Sequence, residues 1–342
     1  MPDADLPIRP DRREFLRVVA SAGTLLCLGA VDALAVDPAP SRPPAAHGFD
    51  LRFRTVSAGH MRELGQWFRR LTREHRLSAN ATYRRYIGGF RFEPPKEIPG
   101  ARALVIAAVR QRLLAVTFHP DRGPRDVLIP TGYASQSYGG RDVRARLVRD
   151  ALGGHGLLQR AALPLKTLAV HGGLAQYGRN NITYAGDFGS FHELWGYWTD
   201  RELPDHWRPL TMMRMCKGCS ICVKACPTRA FSETNFTIDA GRCLTLYNEQ
   251  DGDLPAWIPP AAHHTLVGCL RCQYRCPANA DLIHDVERIA ELDREQTRFI
   301  LGGRRDPARE KAIMDLLPRY PVGFPHFARA ARLALANGPV LG

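Results

Sequence analysis

From residue 51 onward, short continuous apolar runs alternate with amphipathic stretches, and each kind predicts its own element. Residues 102 to 109, 113 to 118 and 127 to 130 are apolar runs of strand length, suited to buried strands. Met61, Leu64, Trp67, Phe68 and Leu71 recur at helical spacing, as do Val143, Leu147, Val148 and Ala151 ahead of Gly153 and Gly154. Trp195, Tyr197 and Trp198 fit a core strand. Residues 306 to 317 and 324 to 336 read as helices that pack back on the body. These stripes describe a core, not a cofactor-binding surface. The pattern predicts an α/β domain over 51–210, a cysteine-rich segment over 211–285 and a helical C-terminal segment over 286–342.

The first residues read as an address. Arg12-Arg13-Glu14-Phe15-Leu16-Arg17 precede a mildly apolar stretch from Val18 to Val31, and Ala33-Leu34-Ala35 supplies a small-x-small cleavage pattern. This predicts a twin-arginine signal over 1–35, a Pro/Ala-rich linker over 36–50 and a periplasmic or other extracytoplasmic protein. The stretch is shorter than the roughly 20 residues of a bilayer-spanning helix, so no transmembrane helix is expected in the mature chain.

Composition adds an enzyme-sized core and a basic surface. The 342 residues are 45% hydrophobic and 24% charged, enough for two domains. The net charge of +13 is carried mostly by scattered arginines, not by a Lys/Arg block. That reads as a solvated basic surface and argues against a nucleic-acid partner.

Cysteine spacing carries the sharpest chemistry. Of nine cysteines, Cys27 lies in the signal and the other eight fall between 216 and 276. Cys216, Cys219, Cys222 and Cys226, followed by Pro227, form the C-x2-C-x2-C-x3-C-P run of bacterial two-cluster ferredoxins. Cys269, Cys272, Cys276 and Pro277 repeat it without its first member, since position 266 is Leu, and Cys243 makes up the count. The expectation is two [4Fe-4S] clusters with crossed ligand sets. Cys216, Cys219, Cys222 and Cys276 would hold cluster 1, and Cys226, Cys243, Cys269 and Cys272 cluster 2. Four-cysteine zinc sites and disulfides also fit an even count, but not so dense a run. His263 and His264, after Pro259 and Pro260, are expected to face solvent.

The stretch from His171 to Tyr184, through Gly-Leu-Ala-Gln-Tyr-Gly-Arg-Asn, then Gly189-Ser190-Phe191 and Thr199-Asp200, resembles the epoxyqueuosine reductase and reductive dehalogenase superfamily when taken with the cysteines. The resemblance covers residues 130 to 285. It implies a corrinoid-reductase-like α/β domain, followed by a bacterial two-cluster ferredoxin-like α+β domain and a short helical C-terminal tail. In such proteins the clusters pass single electrons to a cobalt corrin (cobalamin). Gly172, Gly173 and Gly178 would let backbone approach the macrocycle, and Asn180 and Asn181 would bind it. Tyr177, Arg179 and Tyr184 are the candidate catalytic groups.

Departures from the pattern steer the expected activity. An acid precedes the proline of a short segment in epoxyqueuosine reductases, and Ala161-Ala162-Leu163-Pro164 has none. With the export signal, this sets epoxyqueuosine reduction aside. The expectation is an exported iron-sulfur oxidoreductase, reductive-dehalogenase-like, acting on a small organic molecule, with a non-catalytic electron carrier as the alternative. Its partner would be an electron donor protein or a membrane redox partner.

Overall fold

The computed structural model describes residues 50–133, 141–232, 236–250, 252–317 and 320–337; the twin-arginine motif and its cleavage pattern lie outside them. Strand β1, Leu51–Ser57, leads into helix α1, Met61–Arg73, which buries Met61, Leu64 and Leu71. Helix α2, Ala81–Gly88, begins where the Asn80 side chain accepts from the Tyr83 N–H, an N-cap in place of a missing helical bond. Next come β2, Ala103–Arg110, β3, Leu113–Phe118, and β4, Arg125–Ile129.

Helix α3, Arg141–Ala151, the short strand β5, Gln159–Arg160, and helix α4, Leu165–His171, then lead into the strand pair β6, Gln176–Tyr177, and β7, Thr183–Tyr184. Strand β8, His192–Thr199, closes a four-stranded sheet of order β1-β2-β8-β5. Every pairing in this sheet is antiparallel. The continuous apolar run of β2 has a physical reason, because both of its faces are covered. Leu104, Ile106 and Ala108 pack with Met61, Leu64, Leu168 and Trp198, while Val105, Ala107 and Val109 pack with Leu147, Val148, Trp195 and Tyr197.

The C-terminal portion departs from the expected helical tail. Val286–Leu292 is a strand, β9, which pairs in parallel with β3, and β4 completes a second sheet of order β4-β3-β9. Three helices follow: Arg294–Gly302, Pro307–Asp315 and Phe324–Ala336. They are α8, α9 and α10 once the one-turn helices α5, Ile221–Ala225, α6, Leu244–Tyr247, and α7, Arg271–Tyr274, of the cysteine region are counted. A capping box, Asp293 with Gln296, starts α8, and Asp306 with Pro307 starts α9. The strands at 113–118 and 125–129 therefore leave the first sheet and share a core with the chain's end. Strand β9 looks half polar because its outward side chains form ion pairs, such as Arg288 with Asp126.

Between 211 and 285 the described residues hold no named strand, only turns and short helices. The α+β character expected of that segment is thus absent from its described part. Its order comes from cysteines and side-chain hydrogen bonds, as in Asn279, which bonds Ser190 and the Gln273 carbonyl. His263 and His264 correct a second expectation, being 0% and 3% exposed. Apolar Leu266, Val267 and Leu270 draw this loop inward.

Buried neutral histidines give the fold an acid limit. His192 donates from Nδ1 to the Gly189 carbonyl at 3.1 Å and accepts at Nε2 from Thr183, and burial pushes it down to about 4. His171, which donates to the Arg208 carbonyl, is pushed down to about 4 by the same cause. A folded-state value below the unfolded one near 6.5 means that protons favour the unfolded chain. Stability should hold above pH 6.5 and fall as the pH drops from there through about 4, by up to roughly 3 kcal/mol for each such histidine. Replacing His192 by Gln should flatten the acid limb of a melting-temperature profile; an unchanged limb would refute this assignment.

Candidate functional site: two cysteine cavities and a shared wall

The loop after Met213 turns through Cys216, Cys219 and Cys222, and Cys276 arrives from the second run. These four line one small cavity together with Arg179, Asn180 and Tyr184. Cys226, Cys243, Cys269 and Cys272 line a second cavity of about 540 Å³. Cys276 thus leaves its own run to stand with the first, and Cys226 does the reverse. All eight are free thiols. Among the described residues no three His, Cys, Asp or Glu converge as they would on a single metal ion. Burial pushes Cys222 up to about 11 and Cys269 up to about 12. A thiolate there is favoured beside metal cations, which is how cluster iron is held.

A third cavity, of about 670 Å³, is walled by aromatic and apolar groups including Trp67, Phe68, Tyr83, Phe90 and Phe236, and by the backbone-rich segment 160–167. It borders the second cysteine cavity directly. Tyr86, Thr131, Gly132, Lys166, Ile182, Ile238 and Gln273 belong to the walls of both. The first cysteine cavity lies on the other side of Asn180, whose Nδ2 donates to the Tyr184 hydroxyl at 2.9 Å, and it reaches the surface at half-exposed Met215 and Ile221.

The residues singled out in sequence divide between these places. Tyr177 and Asn181 border the large cavity. The Tyr177 hydroxyl is bonded to Thr167 at 3.0 Å and is held well above the usual phenol range by burial. Arg179 and Tyr184 sit at the first cysteine cavity instead. Arg179 donates to the Cys216 carbonyl at 3.2 Å, and Tyr184 is raised by burial and by Cys276. Asn180 borders both cysteine cavities.

Gly172 and Gly173 pack against protein, and Gly178 lies on the wall of the first cysteine cavity. At Gly173, where φ is +68°, a Cβ would meet the Arg208 guanidinium. At Gly178 it would meet Tyr184 and Asn180, and at Gly172 the Leu168 carbonyl at 3.3 Å. None of the three borders the large cavity. Sequence reasoning passed over Lys166, Gln273 and Glu249, all on the second cysteine cavity. A lysine in a short helix reads as a solvent-facing residue, so no local signal marks Lys166.

Residues 215–279 match the family described as a 4Fe-4S double cluster binding domain. The epoxyqueuosine reductase of Burkholderia pseudomallei is 31% identical over 196 residues, 54% of this chain and 47% of that protein. That of Pseudomonas aeruginosa is 33% identical over 115 residues, 33% of this chain and 31% of that protein. The matches thus span less than half the length of these relatives. Among solved structures, epoxyqueuosine reductase from Streptococcus thermophilus superposes with a TM-score of 0.56 at 18% identity, covering 83% of this chain and 77% of that one. An epoxyqueuosine reductase bound to an epoxyqueuosine-modified tRNA stem loop gives 0.52 at 18% identity over the same shares. A catabolic reductive dehalogenase gives only 0.32, covering 69% of this chain and 30% of that one, and carries no argument.

These likenesses overturn two expectations. The relatives are named epoxyqueuosine reductases, so setting that activity aside in favour of an exported, dehalogenase-like reductase is withdrawn. One structure of this fold holds tRNA, so the argument against nucleic acid falls with it. Both inferences leaned on local absences. An acid missing from 161–164 leaves other elements free to supply a proton, and scattered arginines can meet phosphates as well as a block can. The chain carries a 4Fe-4S double cluster binding domain, is homologous to epoxyqueuosine reductases over about half its length, and shares their fold.

Proposed function

We propose that this chain is an iron-sulfur reductase that acts on a modified base in tRNA, of the epoxyqueuosine type named for its relatives. The observation that carries the reading is the common wall between the second cysteine cavity and the 670 Å³ cavity, which sets an electron source against a space large enough for a base and its sugar. Cys216, Cys219, Cys222 and Cys276 hold one [4Fe-4S] cluster, and Cys226, Cys243, Cys269 and Cys272 the other; the two four-cysteine cavities support these sets. With clusters bound, exposed Met215 and Ile221 would mark the side open to an electron donor, and the wall around Lys166 and Gln273 the side facing the large cavity. Reductive opening of an epoxide takes two electrons and two protons, delivered here in single-electron steps. The net charge of +13 suits a polyanionic substrate.

A corrinoid is larger than this 670 Å³ space and would extend beyond it, with Tyr177, Asn181 and segment 161–167 as the residues on the large cavity that would border it. When bound, such a group supplies a strongly reducing cobalt centre. The protein's own part is to exclude water with its aromatic wall and to fix the ligand's orientation through Tyr177 and Asn181.

The test is anaerobic turnover of tRNA containing epoxyqueuosine by the cluster-loaded chain with a chemical reductant, read by mass analysis of the nucleosides. Conversion is expected and should be abolished by Cys272→Ser. Fully loaded, reduced protein that leaves the nucleoside unchanged, with and without added cobalamin, would overturn the proposal.

A further inference from the structure

Lys166 is the cation on the wall that the second cysteine cavity shares with the large cavity. It lies on α4, two residues past Pro164, in the segment where the family resemblance leads one to look for an acid. Its Nζ donates to the Asn181 carbonyl at 3.0 Å and lies 3.4 Å from Asn181 Oδ1. Asn181 has φ of +59°, a left-handed conformation that costs a non-glycine residue energy. That turn delivers both oxygens to the ammonium and fixes it between the two spaces. Its placement among protein groups lowers it from the usual lysine range, and the neighbouring Cys243 and Cys272 offset part of that lowering. The other charged groups on this cavity are Arg271, at Cys269, and Glu249, which burial raises to about 7. Neither Arg271 nor Glu249 borders the large cavity. The Lys166 side chain is exposed in the open cavity wall, and a charge held in place beside a redox centre acts on it through space, more weakly where solvent reaches it.

We infer that Lys166 sets the reduction potential of cluster 2 and makes that cluster the one poised towards the large cavity. The step is an electron transfer without bond changes: the cluster passes from the 2+ to the 1+ level with one electron from the reductant. The added negative charge is stabilised by the ammonium held on Asn181. Lys166 acts through the cluster and is a positioning residue, not a catalytic one. The inference rests on the crossed ligand sets and is independent of the substrate.

The experiment is a dithionite-driven potentiometric titration of the anaerobic, cluster-loaded full chain, followed by electron paramagnetic resonance, with the wild type beside Lys166→Met and Lys166→Arg. The cluster-2 signal is identified by its loss in Cys243→Ser. The expected result is a downward shift in potential for cluster 2 in Lys166→Met, with cluster 1 unmoved and Lys166→Arg close to wild type. Lys166→Gln, which keeps a donor towards Asn181, replaces the methionine variant if iron analysis shows a cluster lost. Equal shifts in both clusters, no shift, or an arginine variant as low as the neutral ones would overturn the inference. Because no substrate enters the titration, failure of the tRNA reading leaves this result standing, and the reverse also holds.

Discussion

Replacing Cys243 by serine should leave a chain with one [4Fe-4S] cluster, roughly four irons in place of roughly eight. Cys243 stands at the start of α6, far in sequence from either run, and its thiol is raised by burial and by the neighbouring Cys226. Cys269 in turn is raised by burial and then by Cys243 and Cys226 among its neighbours. The crossed sets make a sharper prediction for pairs. Cys243→Ser with Cys272→Ser strikes one cluster twice and should still leave roughly four irons, whereas Cys272→Ser with Cys276→Ser strikes both and should leave almost none. An arrangement in which each run serves its own cluster gives the reverse for the second pair, because Cys272 and Cys276 would then share one cluster. Iron analysis of anaerobically prepared protein therefore decides between the two arrangements without any assay of activity.

Much of this site was legible in the sequence because thiolate ligation is a spacing problem. The run from Cys216 to Cys226 puts three thiols in one tight loop and sends the fourth away, and the structure sets Cys226 and Cys276 in each other's neighbourhoods. Strand β2 was legible for a similar reason, since only burial on both faces accounts for its unbroken apolar run. Strand β9 was not legible. Its sequence, VERIAEL, alternates charge with apolar residues and can be read as either element until its parallel partner 113–118 is known. The surroundings of Lys166 and of the glycines were not legible for another reason. What a lysine or a glycine faces depends on residues distant in sequence, such as Asn181 for Lys166 and Arg208 for Gly173. The histidine pair shows the same dependence, because proline-rich neighbours suggest a surface loop while Leu266, Val267 and Leu270 pull it inside. His264 then has a structural role, accepting from the Leu270 N–H at 3.1 Å beside Cys269 of the second cysteine cavity.

The second large effect is expected at Phe118, where alanine should cost about 3 to 5 kcal/mol. Phe118 ends β3 and is 0% exposed, with its ring 6.0 Å from that of Phe327 on α10 at an interplanar angle of 24°. Around it lie Val116, Leu292 and Ile300, so a cavity there would loosen both the three-stranded sheet and the C-terminal helices. Phe118→Leu keeps most of the volume and should cost under about 1.5 kcal/mol. The loss should also reach the clusters. Helix α10 is tied to the cysteine region where His326 donates from Nε2 to the Asn248 carbonyl at 2.9 Å, and Asn248 Nδ2 donates to the carbonyl of Gly268, the residue before Cys269. Tyr320, ahead of α10, donates to the Leu266 carbonyl at 2.6 Å in the same loop. Phe118→Ala should therefore lower the melting temperature and speed iron loss to a chelator from cluster 2 more than from cluster 1, as read by the decay of each paramagnetic signal. Equal rates from both clusters would mean that the C-terminal helices stabilise the chain without supporting the cluster loop. A melting temperature unchanged from wild type would place the core of this half of the molecule elsewhere.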